Sequence, residues 1–242
     1  MKLLSMLLLL MLLTRVSGAA CDIVIGSSHR EPLTNASGSG IVDGLVVEMF
    51  HRIGHSACIT PLPAERSLLN ANSGITDGDI LRVREVIVSG RYPNLHLVPE
   101  VLYPLPISGF TRRNDLQPKA LADLVPLRIG FVTGWKILEE QVKAVEISRV
   151  RGVEELFALL AEDKVDLVIY ERLTGQHLLE QLGIEGVRVV DPPLLVTPQY
   201  LVLHRRHQAL LEPLAAALRA MKAEGGYERA FRAAGVGAPK FR

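Results

Sequence analysis

Short runs of β-branched and aliphatic residues alternate along the chain with longer stretches in which apolar residues recur at helical spacing. The short runs predict strands at 22–26, 58–62, 80–83, 95–98, 123–132, 165–170, 187–190 and 200–204. The longer stretches predict helices at 45–53, 66–72, 135–142, 153–161, 173–182, 210–223 and 227–234. This alternation is typical of βαβ units, so we expect parallel sheets covered by helices.

Residues 27–40 interrupt this pattern with Ser, Gly and Asn, and we expect a loop that is too polar to pack. The run Ser37-Gly-Ser-Gly40 lacks the Lys-Ser/Thr that follows a phosphate-binding loop. We therefore predict a flexible lid or linker there.

The first twenty residues have the features of a sorting signal. Lys2 is followed by the almost purely apolar stretch 3–13 and then by small residues at 17–20. The apolar stretch is shorter than the 20 or so residues of a membrane span, and nothing downstream is long enough. We predict a signal peptide over 1–20, cleaved after residue 19 or 20, and a soluble periplasmic product.

Charge and composition exclude several partners. The 242 residues carry 27 Lys plus Arg against 26 Asp plus Glu, without a basic stripe, so nucleic acid is not an expected partner. The chain is 48% hydrophobic but only 5% aromatic, which suits helix-covered parallel sheets. Its length suits two lobes of about 100 residues each.

The two cysteines, Cys21 and Cys58, each stand at the start of a predicted strand. In an oxidising compartment a pair is expected to form a disulfide, and neighbouring parallel strands would bring the two together. The alternative is a lipid on Cys21, but Gly18 occupies the position where lipoprotein signals usually have Leu.

The order and spacing of several segments resemble the family-3 extracellular solute-binding proteins, which deliver amino acids and similar solutes to ABC transporters. The first segment is GLVVEMFHRIG at 44–54, and the last is MKAEGGY at 221–227. Between them the matching segments are 65–79, 92–95, 98–100, 110–112, 121–124, 128–134 and 166–171. The resemblance covers essentially the whole chain after the signal.

The resemblance implies a two-lobed α/β fold of the type II periplasmic binding proteins, with two crossover hinge strands and a ligand cleft between the lobes. The first lobe is expected at 21–108 plus 195–242, and the second at 109–194. The ligand would be captured by hinge closure. A monomer is expected, without cofactor or metal, and with a membrane permease or a receptor as its partner.

The candidate ligand residues of the first lobe are Glu65, Arg66, Asp79 and Arg82. A guanidinium fork matches a carboxylate, so the two arginines are candidates for the acidic end of a ligand. The two acids could orient the arginines or take a cationic end. The alternative is a structural ion-pair network at the top of the sheet.

The candidates of the second lobe follow two of its predicted strands. Thr133, Gly134 and Trp135 form a strand-to-helix turn, where N–H groups suit an anion and the indole could pack on an apolar part. An ordinary capped helix is the alternative. Glu171 stands where the family's amino-acid binders usually carry an Asp for the ligand's ammonium group, and a solvated surface acid is the alternative.

One departure from the family leaves the ligand open. The Thr-x-x-Arg segment that holds the α-carboxylate in amino-acid binders is absent, and REVIVSGR occupies 84–91. His51 and His55 are four residues apart, but Gly54 separates them and no third metal ligand is evident. No serine elbow or cysteine nucleophile is present, so no catalytic residue is assigned.

Together these features predict capture of a small polar ligand, amino-acid-like or a carboxylate, for an ABC transporter. Two alternatives stay open. One is an enzyme on the same fold, such as a cyclic-carboxylate dehydratase or a peptidoglycan lyase, which would need Glu65 or Glu171 as an acid or base. The other is a ligand-binding sensory module that docks on a receptor.

Overall fold

A computed structural model describes residues 21–28 and 31–241 of the chain. The predicted signal peptide and its cleavage position lie outside the described residues.

The strands are Ile23–Ser27 (β1), Ala57–Pro61 (β2), Gly78–Arg82 (β3), Leu95–Leu97 (β4), Tyr103–Thr111 (β5), Arg128–Val132 (β6), Glu146–Val150 (β7), Leu167–Glu171 (β8), Arg188–Val189 (β9) and Leu195–His204 (β10). The α-helices are Ile41–Arg52 (α1), Ala64–Ser73 (α2), Arg84–Val88 (α3), Lys136–Gln141 (α4), Val153–Ala161 (α5), Arg172–Leu182 (α6), Leu211–Ala223 (α7) and Gly226–Ala233 (α8). Two 3₁₀ turns lie at Leu121–Leu124 and Arg205–Leu210.

The strands form one continuous sheet in the order β2-β1-β3-β10-β5-β8-β6-β7. At one end β1, β2 and β3 are parallel, and at the other end β6, β7 and β8 are parallel. The two parallel groups are joined by β10 and β5, which pair antiparallel with each other and with their outer neighbours. Two βαβ groups on either side of a pair of crossing strands is the arrangement that the resemblance implied.

Burial explains the parallel strands, because their side chains meet helices on the sheet faces. Every residue of β3 is buried, as are Ile25 in β1 and Ile169 in β8. The amphipathic helices α1 and α7 pack together and bury Met49, Phe50 and Leu218.

Three elements were not predicted from the sequence: β5, β7 and α3. In β5 the apolar run is interrupted by Pro104 and Pro106, and proline is normally excluded from central strands because it lacks an N–H. The register places Pro104 opposite Pro198 of β10. The strand β7, by contrast, is mostly not buried, and its polar sequence gives no strand signal.

The prediction that residues 27–40 are too polar to pack is wrong. Leu33 is fully buried in the core, and Thr34 is buried beside it. The carboxylate of Asp43, in the first turn of α1, accepts hydrogen bonds from the N–H groups of Asn35 and Gly40, both at 3.0 Å. Asp43 of α1 therefore closes the start of the helix on Gly40 and also binds the backbone of the loop at Asn35.

The predicted disulfide between Cys21 and Cys58 is present, with the two Cα atoms 5.7 Å apart. The register pairs Val24 with Cys58 across β1 and β2, so the bridge ties the start of β1 to its neighbouring strand. Among helices in the described ranges, none has the length and apolar character needed to cross a membrane.

Candidate functional site

The predicted residues of the first lobe gather where β3 ends. In open α/β sheets ligands bind outside the carboxyl ends of parallel strands, and Arg82 is the last residue of β3. Its Nε donates to Asp79 Oδ2 at 2.6 Å, while Nη2 donates to Ser28 Oγ at 3.2 Å and to the Ala64 carbonyl at 3.4 Å. Arg82 thus ties the ends of β1 and β3 to the start of α2.

The side chain of Asp79 is fully buried and holds the guanidinium of Arg82 in place. Its Oδ1 also accepts from Ser67 Oγ at 2.9 Å and from the Ile80 N–H at 3.0 Å. Burial raises the pKa of the Asp79 carboxyl, and the Arg82 guanidinium acts in the opposite direction. The two predicted residues therefore form one buried pair, which fits both an orienting role of Asp79 and the alternative of a structural ion pair.

Glu65 and Arg66, in the first turn of α2, are exposed. Tyr92 donates its hydroxyl to Glu65 Oε1 at 3.2 Å. Arg66 has no hydrogen-bond or ion-pair partner among residues 21–28 and 31–241. Neither charge is paired with an opposite charge among the described residues, and only Glu65 has a hydrogen-bond partner.

The turn after β6 carries Thr133, Gly134 and Trp135, and helix α4 begins one residue later than predicted. Gly134 has a φ of 98°, a conformation that favours glycine. Its N–H donates to Glu139 Oε1 at 2.7 Å, so this donor is already used. The half-buried Trp135 stacks on Tyr170 of β8, with ring centroids 5.2 Å apart.

Glu171 ends β8 and is only 2% exposed. Its Oε1 accepts from the Tyr103 hydroxyl at 2.9 Å and from the Leu173 N–H at 3.1 Å, and its Oε2 accepts from the Thr174 N–H at 2.7 Å. The carboxylate therefore caps the start of α6 and links it to β5. These hydrogen bonds do not show whether Glu171 contacts a ligand, so its role as the partner of a ligand's ammonium group stays a prediction.

Burial governs the electrostatics of this second carboxylate. It raises the pKa of Glu171, while the hydrogen bonds from Thr174, Leu173 and Tyr103 act in the opposite direction. Burial, followed by the charge of Glu171, also raises the pKa of the Tyr103 hydroxyl well above its ordinary value. Tyr103 therefore stays a donor to Glu171 throughout the physiological range.

The two groups of predicted residues are not joined to one another by any hydrogen bond within the described residues. The sequence missed Ser28, Ser67 and Tyr103, which hold the predicted residues in place. Ser28 follows a predicted strand and could have been found by that position. No group of three or more His, Cys, Asp or Glu side chains within the described ranges is placed to hold a metal ion.

No family model matches this chain. Two curated proteins resemble parts of it. An uncharacterized protein of Shewanella oneidensis is 31% identical over 102 residues, which are 41% of this chain and 38% of that protein. The ABC transporter arginine-binding protein 1 of Escherichia coli is 30% identical over 117 residues, which are 46% of this chain and 48% of that protein. The matches thus span less than half the length of these relatives.

Solved structures match much more of the chain, at low identity. The GluR0 ligand-binding core in complex with L-glutamate has a TM-score of 0.73 at 12% identity, covering 88% of this chain and 97% of that one. An amino acid ABC transporter substrate-binding protein from Streptococcus pneumoniae, bound to L-arginine, gives 0.66 at 15%, covering 88% and 93%. A histidine kinase sensor domain with similarity to periplasmic binding proteins gives 0.65 at 16%, covering 90% and 97%.

These neighbours confirm the resemblance drawn from the sequence at the level of the fold. They include amino-acid substrate-binding proteins of ABC transporters, and the Escherichia coli relative bears the name of an arginine-binding protein. All three of the neighbours compared above are described as binding or sensing proteins.

Proposed function

We propose that this chain, which has the two-lobed α/β fold of the periplasmic binding proteins, is an exported solute-binding protein for an ABC transporter. It captures a small polar ligand, amino-acid-like or a carboxylate, in the cleft between its lobes and does no chemistry on it. The lobes are assigned as 21–108 plus 195–242 and 109–194, with β5 and β10 as the hinge strands.

The buried Asp79–Arg82 pair is the observation that carries this proposal. Nε and Nη2 of Arg82 are bound within the protein, and Nη1 has no partner among the described residues. A guanidinium fixed on one side and unpaired on the other is preorganised to donate to an anion. Arg66 supplies a second, more exposed positive charge on the same helix that Arg82 contacts.

The second lobe contributes through the turn after β6. Thr133 and Gly134 are exposed, and the indole of Trp135 offers an apolar surface that Tyr170 supports from behind. Glu171 remains the proposed partner for a ligand amine. Because Glu171 is only 2% exposed, that contact requires closure to rearrange the start of α6, although Oε2 accepts only one backbone hydrogen bond within the described residues, from the Thr174 N–H.

Export is supported by the disulfide, because disulfides persist in oxidising compartments. The proposed partner is a membrane permease, by similarity to the named arginine-binding relative. The sensory alternative is supported by the histidine kinase sensor domain among the neighbours. The two differ in the membrane partner and share the ligand cleft.

A thermal-shift screen of the ligand-stripped protein tests the proposal. The panel contains the common amino acids with L-arginine, polyamines, short dicarboxylates and cyclic carboxylic acids. A ligand at 100 times its dissociation constant adds about 2.7 kcal/mol of stability, which gives a clear rise in Tm. No shift with any compound would contradict the proposal.

Two matched variants locate the ligand that the screen finds. Arg82→Lys keeps the charge beside Asp79 but removes the planar fork, and we expect at least tenfold weaker binding. Arg151→Lys changes an exposed arginine outside the candidate site and should bind as the wild type does. Equal affinity of wild type and R82K would remove Arg82 from the site.

A further inference from the structure

A second cavity lies beside the crossing strands and next to Glu171, because Tyr103 and Leu173, which donate hydrogen bonds to Glu171, line it. It has a volume of about 800 Å³, within the range of small-molecule sites. Its floor is formed by β5 and β10, one wall by the first turns of α6, and another wall by residues 234–240. We call it the hinge cavity. None of the predicted ligand residues lines it.

Prolines supply much of the apolar part of the hinge cavity's lining, which also contains polar side chains such as His177 and Asp191. Six of the 14 prolines of the chain line it: Pro32, Pro104, Pro106, Pro192, Pro193 and Pro239. Proline offers a rigid apolar surface and no backbone donor. The lining is therefore suited to the apolar body of a ligand and makes few hydrogen bonds of its own.

Uncompensated polar groups stand on two different walls. Gln176 and Glu180 are four residues apart on α6, so they project from one helical face, and Lys240 lies on the C-terminal wall. None of the three has a hydrogen-bond or ion-pair partner within the described residues. By contrast, Arg172 is paired with Asp191 at 2.6 Å and does not add net charge.

The C-terminal wall is held in place at both ends. At its start the Val236 N–H donates to the Phe231 carbonyl at 3.1 Å. At its end Phe241 packs on Tyr227, with ring centroids 5.1 Å apart, and the Lys222 ammonium lies 3.8 Å from the Phe241 ring centroid. The backbone that carries Lys240 is thus anchored on the wall opposite α6, so Lys240 and Glu180 stand on different walls of the cavity.

We infer that the hinge cavity is a second binding site and that it takes a short apolar peptide with free termini. The carboxylate of Glu180 matches a peptide ammonium group, and Lys240 matches a peptide carboxylate. Charges on separate walls suit the separated termini of a peptide better than the adjacent charges of a free amino acid. The Gln176 amide can both donate to and accept from a peptide backbone.

A peptide in the hinge cavity would also affect the ligand cleft between the lobes, and this inference rests on the proposed function. Helix α6 belongs to the proposed second lobe and the C-terminal wall to the first. A peptide that contacts both walls opposes changes in the angle between the lobes, and so alters the affinity of the cleft for its own ligand.

Isothermal titration of the purified protein with the tripeptide Leu-Ala-Leu tests the site. The same peptide, acetylated and amidated, should bind about fourfold to 25-fold more weakly because it lacks both charges. Glu180→Gln and Lys240→Met should each weaken binding about twofold to fivefold, the effect of one exposed charge pair. The controls Glu185→Gln and Lys143→Met change exposed charges outside the cavity and should leave binding unchanged.

Three results would overturn the inference. The first is that the peptide does not bind at concentrations up to about 1 mM. The second is that the acetylated and amidated peptide binds as tightly as the peptide with free termini. The third is that E180Q and K240M both bind the peptide with wild-type affinity. Loss of peptide binding in R82K would place the peptide in the cleft and would also overturn it. The screen for cleft ligands is scored with other compounds, so failure of the proposed function is seen independently.

Discussion

Replacing Arg82 by Leu leaves the Asp79 carboxylate buried without its ionic partner. The side chain of Asp79 has no exposed surface and that of Arg82 is only 9% exposed, so water cannot replace the lost guanidinium. Removing one partner of a buried pair costs about 3–5 kcal/mol. Because Asp79 keeps its bonds from Ser67 and Ile80, we expect the lower end, about 3 kcal/mol.

The pH dependence identifies the cause of this loss. Burial already raises the pKa of Asp79 in the folded protein, and R82L removes the charge that opposes that rise. An acid whose pKa is raised by folding lowers stability as the pH rises from its unfolded pKa of about 3.9 to its folded pKa. The folded pKa of Asp79 is higher in R82L than in the wild type, so the deficit of R82L grows with pH between these two folded pKa values. R82L should therefore lose less stability at pH 5 than at pH 7.

Urea unfolding of wild type, R82L and the double variant D79N/R82L at both pH values measures these differences. The double variant should recover part of the loss, since it removes the buried charge. Arg151→Leu, at an exposed arginine, should stay within about 0.5 kcal/mol of the wild type. A deficit of R82L below about 1 kcal/mol at pH 7, or one that is larger at pH 5, would refute the reasoning.

Two further predictions concern the framework of the site. Replacing Cys21 and Cys58 by serine opens a loop of sequence separation 37 and should lower the free energy of unfolding by about 3–4 kcal/mol, measured in urea; an unchanged midpoint would contradict it. In Gly175→Ala the new Cβ would lie 2.4 Å from Phe110 Cζ, so thermal unfolding should show a loss of about 1–3 kcal/mol. The matched control is Gly44→Ala, at an exposed helix position where the new Cβ would have no atom within 4 Å. It should stabilise the protein by up to about 1 kcal/mol. Equal effects of the two substitutions on stability would contradict the packing argument.

The sequence predicted the parallel strands β1, β2, β3, β6 and β8, with their C-terminal ends correct to within one residue, because both depend on local pattern. It missed the parallel strand β7, whose sequence is polar. Asp79 and Arg82 are three residues apart on β3, a spacing that places side chains on opposite faces of a regular strand, so the spacing alone does not predict their contact. Leu81 between them has a φ of 58°, and the pairing of β10 with β3 shifts register between Tyr200 and Val202.

The contact between Tyr103 and Glu171 could not be predicted either, because it depends on the register of β5 against β8. The register could not be predicted because β5 contains Pro104 and Pro106, and proline is normally excluded from central strands.

Burial was the second property that local pattern could not supply. Because Glu171 follows a predicted strand, its position in the sequence suggests an exposed residue at the edge of the sheet. Helix α6 packs on β5 and β8 and buries it. Leu33 was missed for the opposite reason, because its loop is rich in polar residues, yet Asp43 of α1 binds the backbone of that loop and Leu33 is buried in the core. In both cases contacts between distant segments decide the environment of the side chain.

Isothermal titration of the protein with the best compound of the ligand screen tests the central claim most directly. The account predicts heat that saturates at one ligand per chain, with the ligand recovered unchanged, and an affinity at least tenfold lower in R82K. Steady heat that continues after saturation would mean turnover and would contradict a pure binding role. No heat with any compound of the panel would contradict the solute-binding function itself.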